Sequence, residues 1–412
     1  MSEYILAKQN GRKIPLEDKI FGISNRAKAM IASQGSDKVI NATIGSLLDD
    51  DGKLVVLSEV IKVIKTLSAT DIADYAPIGG ILQFKEAVKK AAFGNYKSKA
   101  FVEVVATPGG TGALRNTISN YSKIGDKVLT SDWHWSPYNT IAGEMGRTID
   151  TFTLFDDNDK FNLISFKESV NRLIKNQDSL VIILNTPAHN PTGYSLTLDD
   201  WSCVVKIVTE AAKDSQSIAL LIDVAYIDFA GDQEEYRKFF PLLEDLPENV
   251  LPIVAYSLSK TYTLYGTRCG AMISMAKTKE IADEFKKVCE FSSRGSWSNS
   301  AKMAQVILAK IYKDPNLLRK VDDERMKYRN MLISRGRAFE EEAEKIGLPI
   351  VPFDAGFFVS IPCENPDLIS KELEQQGLFI VPLAKGLRVS VASIAEDKCR
   401  KIPNMIKAVM TK

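Results

Sequence analysis

The sequence predicts an α/β protein with a mostly parallel sheet, followed by a smaller α+β unit. Strand-like and helix-like segments alternate from about residue 100 to residue 312, as is typical of strand–helix–strand units with right-handed crossovers. The runs at residues 180–184 and 218–226 are continuously apolar, which indicates strands covered on both faces of a sheet. A long charged helical stretch then separates this region from a segment of short strands.

The predicted elements follow the hydrophobic periodicity along the chain. Strands are expected where short apolar runs lie between turn residues, and helices where apolar residues recur every three or four positions. The strands are predicted at residues 127–131, 149–154, 180–184, 218–226, 250–257 and 269–275, and the helices at residues 165–174, 197–212 and 277–291.

The C-terminal part of the chain predicts a second unit. Residues 314–346 form one charged helical stretch with no strong helix breaker before Gly336, and we expect this helix to bridge two domains. Short strands at residues 356–361 and 387–392 follow it, and a closing helix extends to Val409.

Composition excludes several classes of protein. The 412 residues are 45% apolar, which is enough to bury a large core, and the 53 basic and 52 acidic residues are interspersed, which argues against a nucleic-acid partner. Five cysteines without paired spacing suit a reducing cytoplasm and argue against a zinc site. No apolar run approaches the about 20 residues that span a membrane, and the polar first 19 residues lack a signal-peptide core. We therefore expect a cytoplasmic protein without a metal or a membrane anchor.

A lysine at the end of a predicted strand is the most informative chemical feature. Lys260 follows Ser257 and Ser259, and Arg268 comes eight residues later. A lysine amine forms Schiff bases with aldehydes, of which pyridoxal phosphate is the commonest, and the serines and the arginine are groups that bind phosphate. Because a Ser-x-Ser-Lys run is otherwise an ordinary solvated loop, this interpretation depends on partners elsewhere in the chain.

An acid ends the predicted strand at residues 218–226. Asp223 there can keep a pyridine nitrogen protonated, which makes the ring an electron sink, and Tyr226 can hydrogen-bond the phenolic oxygen of the same ring. The alternative is an aspartate that merely ends a strand.

A rigid turn follows the predicted strand at residues 180–184. Two prolines and a glycine within residues 185–193 favour a fixed conformation, so that the amide of Asn190 is aimed at one point, where it can donate to the ring oxygen. An ordinary Asn-Pro turn is the alternative.

A glycine cluster at residues 107–114 precedes a helical pattern. Bare backbone N–H groups at a helix N-terminus form a phosphate cradle, although this cluster has neither the Walker A nor the dinucleotide-binding spacing. A plain turn is the alternative.

Together, in this order and at these separations, the segments resemble the class I pyridoxal-phosphate-dependent aminotransferases, most closely the aspartate and aromatic amino acid aminotransferases. The resemblance extends from about residue 41 to about residue 392. It implies the fold type I architecture, a mostly parallel seven-stranded-type sheet flanked by helices with a smaller α+β domain. By this resemblance, residues 1–50 are an N-terminal arm and part of the small domain, residues 51–313 are the large cofactor-binding domain, and residues 314–412 are the small domain with the bridging helix.

The resemblance implies roles for individual residues. Lys260 is the Schiff-base lysine, Asp223 is the partner of the pyridine nitrogen, and Asn190 and Tyr226 bind the ring oxygen, with Lys260, Asp223 and Tyr226 as the catalytic set. The residues implied to hold the phosphate are Gly109, Gly110, Thr111, Ser257, Ser259 and Arg268.

Two aromatic positions are also implied. Residues 131–135 resemble the segment whose aromatic residue stacks on the cofactor ring; register favours Trp135, with Trp133 as the second choice and core packing as the alternative for either. Tyr75 resembles the tyrosine that reaches the phosphate of the neighbouring subunit.

The implied substrate-binding residues are Gly45, Asn190, Arg388 and Arg294. Arg388 matches the arginine that grips the α-carboxylate bidentately, with the backbone of Gly45 near the same group. Arg294 matches the residue that recognises a side-chain carboxylate across a dimer interface. A surface role for Arg388 and a structural role for Arg294 are the alternatives.

Two departures from the aspartate-type pattern argue against strict aspartate specificity. Tyr138 stands where those enzymes carry a histidine behind the ring-binding aspartate, and residues 46–48 differ at the pocket edge. The sequence therefore predicts an enzyme of amino acid metabolism and biosynthesis, a homodimer with shared active sites. We expect it to move an amino group between aspartate, glutamate or an aromatic amino acid and a 2-oxo acid such as 2-oxoglutarate.

Two alternatives remain. Another reaction on the same scaffold, such as that of a β-lyase or a decarboxylase, would use the same electron sink. A ligand-sensing module of a transcription regulator is less expected, because the about forty residues before Gly45 are too few for a winged helix.

Overall fold

In the part of the chain that the structure describes, the strands form one large sheet and two small ones. The structure is a computed structural model that describes residues 5–7 and 17–411. The strands are β1 (Ile40–Asn41), β2 (Phe101–Thr107), β3 (Lys127–Ser131), β4 (Thr148–Phe152), β5 (Ser179–Asn185), β6 (Ser217–Asp223), β7 (Val250–Ser257), β8 (Gly270–Ala276), β9 (Phe358–Pro362), β10 (Leu378–Phe379), β11 (Val381–Leu383) and β12 (Gly386–Ser390).

The large sheet has seven strands in the order β2-β8-β7-β6-β5-β3-β4. Strands β4, β3, β5, β6 and β7 are parallel, whereas β8 runs antiparallel to both β7 and β2. Every residue of β7 and β8 is buried, and β5 and β6 are buried except for a partly exposed first residue, in keeping with their continuous apolar runs. The predicted fold, a mostly parallel sheet of seven strands, is confirmed.

Helices cover the sheet and build the second unit. They are α1 (Lys19–Gln34), α2 (Ser58–Ile64), α3 (Ala69–Ala73), α4 (Leu82–Phe93), α5 (Gly109–Tyr121), α6 (Pro137–Glu144), α7 (Leu163–Ile174), α8 (Leu198–Ala211), α9 (Leu258–Thr261), α10 (Lys279–Ser296), α11 (Lys302–Lys313), α12 (Pro315–Ile346), α13 (Pro366–Gln375) and α14 (Glu396–Met410). No helix among the residues that the structure describes is long and apolar enough to cross a membrane.

The bridging helix α12 has clear start and stop signals. Asp314 caps it by accepting hydrogen bonds from the N–H groups of Asn316 and Leu317, and it ends at Gly347, which adopts the left-handed conformation with φ 66°. Gly336 does not interrupt it. A Cβ at Gly336 would lie 2.4 Å from the ring of Phe353, so the glycine is needed for close packing.

The second unit combines both chain termini. Strand β1 pairs in parallel with β10, and β11, β12 and β9 form an antiparallel sheet. Helix α1 packs Ile23 and Ala27 against Val39 and Phe379, so residues from about 19 to 41 lie with the C-terminal elements. The predicted domain boundaries stay a prediction, and residues 1–4 and 8–16 of the predicted N-terminal segment lie outside the described residues.

Some element boundaries differ from the sequence-based expectation. The strand predicted at residues 218–226 ends at Asp223, because the chain turns there and forms a short 3-10 helix at Ile227–Phe229. No strand is predicted before residue 127, whereas the structure has β2 at the edge of the large sheet beside β8.

A buried charge cluster joins the large sheet to the bridging helix. Asp228, after β6, pairs with Arg237 Nη2 at 2.6 Å and with Arg325 Nη1 of α12 at 3.4 Å, and all three side chains are at most 4% exposed. Opposite charges in a poorly solvated site stabilise each other only while both are present.

We expect Asp228→Asn to destabilise the protein by about 3–5 kcal/mol, because it removes the buried counter-charge that Arg237 and Arg325 share, and only Arg325 keeps a second acid, Asp322. Urea unfolding followed by circular dichroism measures this loss. The matched control is Glu86→Gln, which removes an exposed acid paired with Lys89 at 3.2 Å. It should cost about 1 kcal/mol or less. Equal losses in the two variants would contradict the prediction.

Candidate active site

A cavity of about 320 Å³ lies at the carboxyl ends of the parallel strands, where the second unit meets the large sheet. It brings together residues that are far apart in the sequence. The predicted site residues that line it are Gly45, Gly110, Thr111, Trp135, Asn190, Asp223, Tyr226, Ser257, Ser259, Lys260, Arg268 and Arg388.

Lys260 is presented by the short helix that follows β7. Ser257 caps this helix by accepting a hydrogen bond from the N–H of Ser259 at 3.2 Å, and Lys260 Nζ donates to the carbonyl oxygen of Gly45 in the second unit. Burial, reinforced by the positive charges of Arg388 and Arg268, lowers the pKa of Lys260 to about 7. Near neutral pH a large fraction of this amine is therefore unprotonated and nucleophilic.

Asp223 is the last residue of β6 and lies on the wall of the cavity. Its Oδ2 accepts a hydrogen bond from the Tyr138 hydroxyl at 2.8 Å, and its Oδ1 accepts one from the Ala225 N–H at 3.2 Å. Burial raises the pKa of Asp223 to about 6, although both hydrogen bonds act in the opposite direction. A cation placed against this carboxyl would lower its pKa again and keep it ionised.

Tyr138 lies behind Asp223, at the position the sequence resemblance implied. The phenol is fully buried, and burial together with the charge of Asp223 raises the pKa of Tyr138 well above its ordinary value. The hydroxyl thus stays protonated and acts only as a hydrogen-bond donor to Asp223.

Two asparagines connect the strand ends to the second unit. Asn185, the last residue of β5, donates to the Asp223 carbonyl at 2.8 Å and accepts from the Asn190 N–H at 2.7 Å. The Asn190 amide donates to the Tyr226 hydroxyl at 3.4 Å, and its Oδ1 accepts from Arg388 Nη1 at 3.3 Å. Asn190 and Tyr226 thus lie side by side, beside Arg388.

One end of the cavity is an anion cradle. Helix α5 begins at Gly109 without a side-chain cap, so its first N–H groups are available to a ligand. A Cβ at Gly109, where φ is +68°, would lie 2.8 Å from Arg268 Nη2, so only glycine allows the guanidinium so close to the helix. Arg268 Nη1 also donates to the Ser259 hydroxyl at 3.3 Å.

Arg388, in β12, is buried with unused hydrogen-bonding capacity. Its Nη2 donates to the Thr43 carbonyl at 2.8 Å, its guanidinium carbon lies 4.4 Å from the ring centroid of Phe358, and its buried Nε has no hydrogen-bond partner among the described residues. Burial lowers the pKa of Arg388 to about 10, so the group remains charged. A buried arginine in this state fits a carboxylate that binds in the cavity.

The two candidate tryptophans occupy different environments. Trp133 is 6% exposed and belongs to the hydrophobic core, whereas Trp135 lines the cavity and lies edge-on to Tyr138, with ring centroids 5.6 Å apart. Trp135 is therefore the one placed to contact a ligand.

Two predicted residues lie away from the cavity of their own chain. Tyr75 is 83% exposed, and Arg294 is an exposed residue of the last turn of α10, where its Nη1 donates to the Ser298 hydroxyl at 2.6 Å. Gly109 does not line the cavity itself, but it lies against Arg268, which does.

Sequence reasoning missed several residues that the fold brings to the cavity. They are Asp18, Phe21, Leu114, Asn185, Tyr265 and Phe358. The polar end of an apolar strand, the signal that identified Asp223, would also have identified Asn185. Tyr265 lies five residues after Lys260, and its hydroxyl accepts from the Leu47 N–H at 3.0 Å. The two residues near the N-terminus carry no comparable sequence signal.

The family model described as aminotransferase class I and II matches residues 37–406. The chain belongs to this family. The solved structure of an aminotransferase from Anaerococcus prevotii matches it with a TM-score of 0.96 and 37% identity, covering 99% of this chain and 100% of that chain. The aspartate aminotransferase of Escherichia coli is 26% identical over 388 residues, which are 90% of this chain and 93% of the relative.

A third similar protein is the aromatic-amino-acid aminotransferase of Burkholderia pseudomallei, whose structure contains covalently bound pyridoxal phosphate. It has a TM-score of 0.80 and 22% identity, and the match covers 98% of this chain and 100% of that chain. Family membership makes this protein a transaminase of the pyridoxal-phosphate-dependent class.

The cavity of this aminotransferase fits that cofactor. It contains a lysine amine of lowered pKa and a buried carboxyl. It also has an uncapped helix N-terminus beside Arg268, which suits a phosphate. The buried Arg388 Nε without a partner leaves a donor for a substrate.

We expect Lys260 in the cofactor-free aminotransferase to react with trinitrobenzenesulfonate along a pH curve with its midpoint near 7. Only the unprotonated amine reacts, and burial with two neighbouring cations disfavours the protonated form. Peptide mass spectrometry at a series of pH values measures the modification of Lys260. Ordinary exposed lysines, with a pKa of about 10.4, provide the internal comparison. A midpoint above about 9 would refute the lowered pKa.

Proposed function

We propose that this aminotransferase moves an amino group from aspartate, glutamate or an aromatic amino acid to a 2-oxo acid such as 2-oxoglutarate. The observation that carries the proposal is the meeting of Lys260, Asp223 and Arg388 in one cavity. The first supplies a reactive amine, the second a buried acid, and the third a binding group for a carboxylate. The names of the relatives from Escherichia coli and Burkholderia pseudomallei support the two substrate classes.

Lys260 is the proposed proton carrier. When bound, pyridoxal phosphate supplies an aldehyde for covalent attachment and a ring that accepts the electron pair released at the substrate's α-carbon. The Lys260 amine, with a pKa of about 7, takes the α-proton and later returns it, first as a base and then as an acid. A proton carrier with a pKa near the working pH performs both steps.

Asp223 is the proposed partner of the ring nitrogen, and Tyr138 positions it. The Tyr138 hydroxyl occupies Oδ2 and the Ala225 N–H contacts Oδ1, so the carboxyl is held in one orientation. Its proton affinity is raised by burial, which strengthens a hydrogen bond to a cationic N–H. On the other side of the ring, Asn190 and Tyr226 are the proposed donors to its oxygen.

We assign the remaining cofactor contacts to Trp135 and to residues around the N-terminus of α5. Trp135 would contact the ring of the cofactor, and backbone N–H groups, hydroxyls and one guanidinium would hold its phosphate. The residues that supply these groups are Gly109, Gly110, Thr111, Ser257, Ser259 and Arg268.

Arg388 is the proposed binding group for the substrate's α-carboxylate. Its contacts to Asn190 Oδ1 and the Thr43 carbonyl fix the plane of the guanidinium, while Nε remains available. The backbone of Gly45 and the Asn190 amide border the same space, so every α-amino acid would be held in one orientation relative to Lys260.

The enzyme is proposed to act in the cytoplasm as a homodimer with shared sites. Tyr75 and Arg294 lie exposed and away from the cavity of their own chain, which supports roles in the site of a second copy. Tyr75 would bind the partner's cofactor phosphate, and Arg294 would bind a side-chain carboxylate of aspartate, glutamate or 2-oxoglutarate.

Lys260→Ala should abolish turnover while leaving the fold intact, because it removes both the covalent anchor and the proton carrier. The measurement is the absorbance of bound cofactor after one amino donor is added. Wild type should convert the cofactor stoichiometrically to its amine form and then stop, as a transaminase does and a β-lyase or decarboxylase does not. Lys28→Ala, an exposed lysine of α1, is the control. Transaminase activity in the purified Lys260→Ala variant would rule out the assignment.

Arg294→Leu should lower aspartate turnover by about two orders of magnitude and spare phenylalanine, because it leaves a bound side-chain carboxylate unpaired. Mixed dimers test whether the site is shared. A subunit with Lys260→Ala and a subunit with Arg294→Leu are each inactive on aspartate, but their mixed dimer contains one intact site. About half of the wild-type rate per mixed dimer should return. No recovery in the mixed dimer would show that Arg294 does not act across subunits.

A further inference from the structure

The N-terminal end of α1 reaches the active-site cavity and has no role in the chemistry proposed above. Asp18, Ile20 and Phe21 all line the cavity together with Lys260 and Arg388. Phe21 is 66% exposed, although it is a large apolar side chain beside the site. A substrate with an apolar side chain would cover such a surface favourably on binding.

Helix α1 is held firmly enough to form a wall. Lys19 pairs with Asp367 at 2.7 Å, and Arg26 Nε pairs with Glu374 at 2.9 Å, so both residues tie the helix to α13. On its inner side Ile23 packs against Val39 and Phe379. These contacts leave Phe21 on the cavity side of an anchored helix.

The charges of the cavity show how Asp18 differs from the other lining residues. Among the described residues that line it, the charged ones are Asp18, Asp223, Lys260, Arg268 and Arg388. The last four are accounted for by the cofactor and the α-carboxylate. Asp18 accepts hydrogen bonds from the N–H groups of Ile20 and Phe21, which hold its carboxylate at the rim. A carboxylate in that place opposes a second carboxylate on the substrate.

We propose that Phe21 and Asp18 determine substrate specificity: Phe21 forms one wall of the side-chain subsite for aromatic donors, and Asp18 disfavours dicarboxylic donors. This inference deepens the proposed function and rests on it. It ranks aromatic amino acids above aspartate and glutamate as donors. Apolar lining residues of both units, among them Ile44, Leu114 and Phe358, complete the same subsite.

The test compares donors in the half-reaction, where cofactor absorbance is followed without an acceptor. Phe21→Ala should lower kcat/KM for phenylalanine by about tenfold, the scale of a lost apolar contact in a binding pocket. It should leave alanine, whose side chain does not reach the wall, within about twofold. Met30→Ala, a partly exposed apolar residue on the same helix outside the cavity lining, is the control.

The charge is tested separately. Asp18→Asn keeps the helix cap, because asparagine caps as well as aspartate, but removes the negative charge. It should raise kcat/KM for aspartate by about threefold or more, the effect of about 0.7 kcal/mol, and leave phenylalanine unchanged. Asp37→Asn removes an equal charge from an exposed site away from the cavity and should change neither donor.

The possible results distinguish a failure of the proposed specificity residues from a failure of the proposed function. If wild type converts its cofactor with some donor but Phe21→Ala changes phenylalanine and alanine equally, the inference is wrong and the transaminase assignment stands. A wild-type preference for aspartate over phenylalanine that Asp18→Asn leaves unchanged would also overturn the inference. If no amino acid converts the cofactor, the proposed function itself fails.

Discussion

The contact between Phe353 and two glycines holds the active site together. A Cβ at Gly193 would lie 2.2 Å from the Phe353 ring, and one at Gly336 would lie 2.4 Å from it. The ring therefore occupies a slot between the turn after β5 and the bridging helix that admits no side chain. Because packed interiors do not deform continuously, this fit sets the relative position of the two units.

Hydrogen bonds extend that contact towards the cavity. The N–H groups of Asp354 and Ala355 both donate to the Gly193 carbonyl at 3.1 Å, and the Ser195 N–H donates to Asp354 Oδ2 at 2.7 Å. The turn fixed in this way carries Asn190. Arg388 of the second unit donates to Asn190 directly, so the arginine that we propose binds the substrate is aligned with the strand ends by the same interface.

The electrostatics of the cavity follow from the same arrangement. Among the described residues that line the cavity, Arg268 and Arg388 are cations and Lys260 is a third when it is protonated, whereas the acids are the buried Asp223 and Asp18 at the rim. A buried cation such as Arg388 is costly without a counter-charge, so the site favours anionic ligands. A phosphate and a carboxylate supply this charge, and the lowered pKa of Lys260 makes the reactive amine available at neutral pH.

The sequence by itself determined six of the seven strands of the large sheet, the bridging helix and the polar residues at the strand ends. Apolar runs of strand length identify β5, β6 and β7. Because parallel strands end at one edge of a sheet, the residues that end or follow these strands must lie close together; they are Asn190, Asp223 and Lys260. Only the tertiary structure placed Trp133 in the hydrophobic core and Trp135 on the cavity wall, because their side chains pack on different sides although they are two residues apart. It also brought Asp18 and Phe21 to the cavity, across more than two hundred residues from Lys260. Such long-range contacts depend on how α1 packs against the C-terminal unit, and local periodicity contains no information about that packing.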